Sequence, residues 1–203
     1  MTKLWGPLGW MTLHSVSLIY PEFPSIEERA IASKFLDLFA NTITCIFCKN
    51  HFAAMYALYK SDHPEYLNSR RDFALFVFRA HNTVNKRLDK PRQSSVADCL
   101  ATLQNNLTNT TFAQFRMSYL IYLSRIWGQD LSGQGRMLQK DVKDMVQINA
   151  NYWTPRELTS LPELEEADVI TPIERSTARI GPSGQIISTK VGFAGGRLKL
   201  GRN

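Results

Sequence analysis

Cysteine is scarce in this chain, with three in 203 residues, at Cys45, Cys48 and Cys99. So small a number excludes the disulfide framework that staples small secreted domains, and it leaves catalytic or metal-binding use. Long apolar runs are also missing, and no stretch would cross a bilayer as a helix. The opening Met1-Thr2-Lys3-Leu4-Trp5-Gly6-Pro7 lacks the charged-then-apolar pattern of a secretory leader. A cytosolic protein without a membrane partner is expected, so the sequons at Asn106 and Asn109 should stay unglycosylated. Acidic residues are absent from positions 175–203, which hold six Lys and Arg. The remainder is balanced, 18 basic against 18 acidic. The net charge of +6 therefore belongs to a tail and not to a folded face, which argues against a nucleic-acid partner. The 44% hydrophobic content suffices for one substantial core or two small ones.

What is present is a single reactive stretch, Thr44-Cys45-Ile46-Phe47-Cys48-Lys49-Asn50-His51-Phe52. On a helix starting at about Thr44, the apolar Phe52, Met55, Tyr56 and Tyr59 follow Cys48 at helical spacing, so Cys48 faces a core. Cys45 sits a turn earlier, at the first helical position, where free N–H groups and the helix dipole favour a thiolate. One accessible, activated sulfur and one inward-facing sulfur suit a disulfide that takes electrons from outside and passes them inward. Two readings stay open beside it. The cysteines could be reduced structural thiols, or Cys45, Cys48 and His51 could be part of a zinc site completed by His81, His14 or Cys99.

Around this stretch the chain reads as amphipathic helices. Gly6-Pro7 opens the first, in which Trp10 and His14 are four apart and share a face; a core aromatic beside a satisfied histidine would explain them equally well. It ends near Tyr20-Pro21. Ser25-Ile26-Glu27-Glu28 is a capping box, followed by Ile31, Phe35, Leu38, Phe39 and Ile43 at helical spacing. The redox helix runs to about Lys60 and is broken by Ser61-Asp62-His63-Pro64. Over residues 70–89, Phe73, Val77, Ala80, Val84 and Leu88 make a core stripe. His81 and Asn85 lie on an adjoining face, and Lys86, Arg87 and Lys90 close the C-terminal end, as the helix dipole alone would favour. Ser95 opens a short fifth helix with Cys99, Leu100 and Leu103. Short connections make a four-helix bundle the economical fold, and bundle ends commonly hold cofactors.

Three of these stretches together resemble one family. Trp10-x-x-x-His14 with Tyr20-Pro21, Cys45-x-x-Cys48-x-x-His51-Phe52, and His81-Asn82-x-Val84-Asn85-Lys86 with Lys90-Pro91 are similar, in order and spacing, to the Erv/ALR sulfhydryl oxidases. The match spans roughly residues 4–105, and the Trp5-Gly6-Pro7 opening is most like the short members encoded by large cytoplasmic DNA viruses. The resemblance implies an all-α fold, a four-helix bundle with a short fifth helix, FAD in the bundle mouth, and a homodimer. It implies catalysis by Cys45, attacked by the substrate thiol, and Cys48, beside the flavin. Trp10, His14, Tyr20, His51, His81, Asn82, Val84, Asn85, Lys86 and Lys90 are the implied cofactor contacts. Electrons from a thiol-bearing protein substrate, such as a small thioredoxin-like carrier, would pass to molecular oxygen and give hydrogen peroxide. The implied location is the host cytoplasm at the viral factory, with the virion as a second place.

Two departures stand out. Cellular members usually have Arg where this chain has Pro7, and a cysteine where it has Phe78, so Cys99 lacks the partner of their structural disulfide and reads as a buried free thiol, with an intermolecular or shuttle thiol as the alternative. Residues 1–106 thus form an expected flavin domain. Residues 109–158 are an additional helical domain without Cys or His: Thr111 caps a helix to Gly128, another lies near 136–150, and Thr154-Pro155 caps a short turn. Residues 159–203 are an irregular basic tail in which Gly181-Pro182-Ser183-Gly184 could turn a hairpin. A zinc-stabilised interaction module and a structural virion protein with a dead oxidase domain are the rival functions.

Overall fold

The computed structural model describes residues 2–105, 110–174, 176–180 and 186–190. The sequons at Asn106 and Asn109, the Gly181–Gly184 turn and the end of the basic tail lie outside them. Five helices form the first half: α1 (Thr2–Leu18), α2 (Ile26–Thr42), α3 (Ile46–Asp62), α4 (Arg70–Arg87) and the short α5 (Val96–Asn105). α1 begins earlier than Gly6-Pro7 and takes Pro7 inside it. The proline forfeits one hydrogen bond back to Lys3, which is tolerable this close to a helix end. Ser25 and Glu28 cap α2 reciprocally, as their spacing predicts. α3 starts one residue later than expected, with Cys45 as its N-cap and not as its first helical residue.

The second half supplies α6 (Phe112–Gly128), capped by a Thr111–Gln114 box, and α7 (Gly133–Ile148). α7 runs directly into a π-helical turn, Asn149–Trp153, and Thr154-Pro155 follows as a plain turn. α6 lies on α1 and α7 lies on α2. Phe115, Tyr119, Leu120, Leu123, Val142, Met145 and Trp153 belong to the same continuous core as Phe35, Phe39 and Leu13 of the bundle. Arg116, almost fully buried, ties the layers together: its guanidinium donates to Asn149 Oδ1 (2.8 Å), Ser15 Oγ and the Trp153 carbonyl. Burial lowers its pKa to about 10, so it remains charged at neutral pH.

The stretch read as irregular from 159 onward carries some order. A one-turn helix, α8 (Glu166–Ile170), packs on α4, and residues to Glu174 strap along it: Arg79 Nε donates to Asp168 O (2.7 Å) and Lys86 Nζ pairs with Glu174 (2.7 Å). Strands β1 (Ser176–Ile180) and β2 (Ile186–Lys190) pair antiparallel, with Ala178 opposite Ser188. All other regular structure in the described chain is helical, in line with an all-α fold.

Candidate active site

The connection from α2 to α3 is short, and it delivers Cys45 to the start of α3 in an extended conformation (φ −95°, ψ 112°). Cys45 and Cys48 are joined as a disulfide with Cα atoms 5.2 Å apart, and Cys45 Sγ accepts the Cys48 backbone N–H at 3.3 Å. One of the donors a helix start leaves free is thus aimed at the outer sulfur, where it would stabilise a thiolate. Between the two cysteines, Ile46 (59%) and Phe47 (79%) stand exposed.

A cavity of about 940 Å³ opens on the other side of the disulfide, walled by α1, the end of α2, α3, α4, the chain from Lys90 to Gln93 and α5. Its volume lies toward the upper end of the range, roughly 300–1,000 Å³, in which ligand sites fall. Trp10, Leu13, Phe39 and Phe52 make apolar walls, His51, His81 and Asn85 supply polar groups, and Arg87 and Lys90 bring positive charge. Cys48 lines this cavity and Cys45 does not. A flat aromatic ring system carrying an anionic tail fits such a lining, so the residues present suit a flavin dinucleotide.

Of the implied cofactor residues, the cavity gathers Trp10, His51, His81, Val84, Asn85 and Lys90. His14, Tyr20, Asn82 and Lys86 do not line it. Tyr20 is buried against Phe73 and Trp153 and donates to the Leu67 carbonyl. Asn82 spends its amide on the backbone, donating to Gln93 O and Val169 O and accepting from Gln93 N–H, each at 2.8 Å. It fastens the post-helix segment and the α8 strap to α4. Lys86 turns to Glu174, and its neighbour Arg87, about 100° further round the helix, faces the cavity instead. Leu88, expected in the core stripe with Val84, is half exposed, and both line the cavity wall. Trp5, Pro7, Gln93 and Thr102 are also among the lining residues, and no periodicity or motif marks the last two.

His14 stands behind the wall and acts on His81. Its Nε2 lies 3.0 Å from His81 Nδ1, and the Cys99 sulfur lies 3.2 Å from the same nitrogen. Trp10 stacks on the other ring at 4.4 Å, nearly parallel. Burial drives the His14 pKa well below its ordinary value, with His81 adding to the effect; burial and then Lys90 bring His81 to about 3. Both are neutral imidazoles, each with one N–H. His14 Nδ1 is buried without a partner, and an orphaned acceptor costs less than an orphaned donor. Of the two tautomers, the one with the hydrogen on His14 Nε2, donated to His81 Nδ1, leaves no buried N–H of His14 orphaned. Burial also lowers the His51 pKa, with Arg87 contributing, and pushes the Cys99 thiol up to about 12.

The zinc reading built on Cys45, Cys48 and His51 is not assembled. Two sulfurs joined in a disulfide cannot act as a pair of thiolate ligands. Among the described residues, the one group of three ligand-type side chains within 4.8 Å of one another is His14, His81 and Cys99.

The geometry agrees with what comparison with known proteins finds. Residues 8–107 match the Erv1 / Alr family, and over 86 residues the chain is 34% identical to an FAD-linked sulfhydryl oxidase of African swine fever virus, covering 69% of that protein and 42% of this chain. The chain belongs to the Erv1/Alr family. Other Erv1/Alr relatives include a putative FAD-linked sulfhydryl oxidase of Invertebrate iridescent virus 3, 37% identical over 90 residues, which span 44% of this chain and 60% of that one. The mitochondrial FAD-linked sulfhydryl oxidase of Saccharomyces cerevisiae is 31% identical over 87 residues, covering 43% and 44%. This chain thus spans less than two thirds of the iridescent virus protein, and α6, α7 and the tail fall outside the Erv1/Alr match. No solved structure matches the chain.

Proposed function

We propose that this protein is a flavin-dependent thiol oxidase that forms disulfides in protein substrates. The observation that carries the reading is the split of one disulfide across a wall: Cys48 borders a cavity suited to a flavin, and Cys45 stands outside it as a helix N-cap. A substrate thiolate attacks Cys45 Sγ, the Cys45–Cys48 bond breaks, and Cys48 leaves as a thiolate at the cavity wall. The second substrate thiol attacks its mixed-disulfide partner and expels Cys45 as a thiolate, favoured by the Cys48 N–H and the helix dipole. The substrate has then lost two electrons and the cysteine pair has gained them. FAD bound in the cavity supplies their acceptance and their transfer to dioxygen, giving hydrogen peroxide.

When FAD is bound, Trp10, Val84 and Phe52 would hold the flat ring, Asn85 and His81 would offer hydrogen bonds, and Arg87 and Lys90 would meet the phosphates. Tyr20, Asn82 and Lys86 act on the frame around them, and His14 acts through His81. The substrate reaches Cys45 directly in this reading; exposed Ile46 and Phe47 give it an apolar landing place. A small thioredoxin-like carrier is the proposed donor, with a homodimer acting in the host cytoplasm at the viral factory. The purified protein should be yellow, with one FAD per chain, and should consume oxygen and release peroxide with a dithiol. A colourless protein that binds no added FAD would end the proposal, and a yellow but inert one would favour a structural remnant.

A further inference from the structure

The short turn that carries Cys45 is gripped from outside the segment that matches the family. Thr42 ends α2, so its carbonyl is one of those the helix leaves unpaired, and Trp127 Nε1 of α6 donates to it at 2.9 Å. Tyr122, also on α6, brings its hydroxyl within 3.2 Å of Thr44 Oγ1, on the residue next to Cys45. α7 grips the same turn from the other side: Met145 Sδ lies 3.5 Å from Thr42 Oγ1, and Asp141 accepts from the Asn41 amide, whose oxygen in turn takes the Lys49 ammonium at 2.8 Å. Trp127 is itself fixed, because Gln139 Nε2 of α7 donates to its carbonyl at 2.8 Å. Two helices with no cysteine or histidine thus converge on residues 41–44.

We infer that the α6–α7 hairpin is a positioning clamp for the redox turn, with Tyr122 and Trp127 as its positioning residues. Their hydrogen bonds go to Thr44 and Thr42 and not to a sulfur. Their effect is to hold Cys45 at the N-cap, where the Cys48 N–H and the end of the α3 dipole act on its sulfur. A turn free to swing takes that sulfur off the helix end, so the thiol ionises less readily and is a poorer leaving group in the resolving step. The inference deepens the thiol-oxidase reading and rests on it for its catalytic meaning.

The test is the pH dependence of alkylation of Cys45 by iodoacetamide, followed by mass spectrometry in the full-length Cys48→Ser protein. Cys99, buried and ionising only near pH 12, does not interfere. Adding Tyr122→Phe or Trp127→Phe should move the midpoint upward by about half a pH unit. Arg156→Gln is the control for mere destabilisation. It breaks the Glu28 pair that ties the π-helical turn to α2 and should leave the midpoint in place. An unmoved midpoint in both clamp variants, or an equal shift in the control, overturns the clamp.

Where the Cys48→Ser protein does not fold, the clamp variants are made with Cys48 intact. In the anaerobically reduced protein the Cys45 alkylation midpoint, told apart from that of Cys48 by fragment-ion assignment, should then rise by the same half pH unit; an unmoved midpoint overturns the clamp. Alkylation needs no turnover, so a protein that shows the shift but oxidises no dithiol keeps the clamp and loses the oxidase.

Discussion

The two halves of the molecule differ in what they carry. Residues 2–105 hold every cysteine and histidine of the described chain and the whole lining of the cavity, whereas residues 110–174 hold neither residue type. Yet both contribute to one core, and the second half fills space on α1 and α2 with Phe115, Tyr119, Met145 and Trp153. Chemistry is concentrated where a backbone donor, a sulfur and a cavity meet, and the frame that holds those parts is spread over the whole chain.

The comparison is sharpest at the sulfur facing the cavity. Cys48→Ser should reduce dithiol-driven oxygen uptake to background while leaving bound FAD in place; retained turnover would move the chemistry elsewhere. Next in size is a substitution in the second half. Trp153→Ala removes a fully buried ring that packs edge-on against Phe35 and Tyr152, and should lower unfolding free energy by about 3–5 kcal/mol. If instead α6–α7 melts in a separate, earlier transition with the first half intact, the single core divides into two.

Acid should act mainly through the first half. His81 has a folded-state pKa of about 3, below its unfolded value near 6.5, and His14 is shifted the same way. The unfolded chain therefore binds more protons as pH falls through this window. The histidine contribution to stability is complete above about pH 6.5 and is lost progressively toward pH 3. The thermal midpoint should drop between pH 6.5 and 5, before most carboxylates titrate, and the drop should be smaller in His81→Gln. The smallest effect is expected at Cys99. With its thiol pushed up to about 12 and no exposed surface, it should resist thiol reagents in the folded protein, and Cys99→Ala should leave dithiol turnover unchanged. Rapid labelling of Cys99 would show that the cluster with His14 and His81 opens.

Much of this was legible from local pattern. The capping boxes at Ser25 and Thr111 mark helix starts because a short side chain and a carboxylate or amide three residues on pair with orphan N–H groups wherever they occur. The inward aim of Cys48 follows from 3.6-residue periodicity. Helix spacing places Asn82 and Lys86 near the site as readily as His81, Asn85 and Arg87, and only their partners separate them: Gln93 and Val169 take Asn82, and Glu174 takes Lys86. Those partners lie up to about ninety positions away in the chain, beyond the reach of any local pattern.

The sequence by itself determined the redox pair, the helices and the family, because each is written in residue types at fixed short spacings. The tertiary structure decided which faces meet: that Trp127 reaches the end of α2, that Tyr122 reaches Thr44, and that His14 meets His81. Contacts of that kind depend on how helices close on a shared core, to which residues far apart in the described chain contribute.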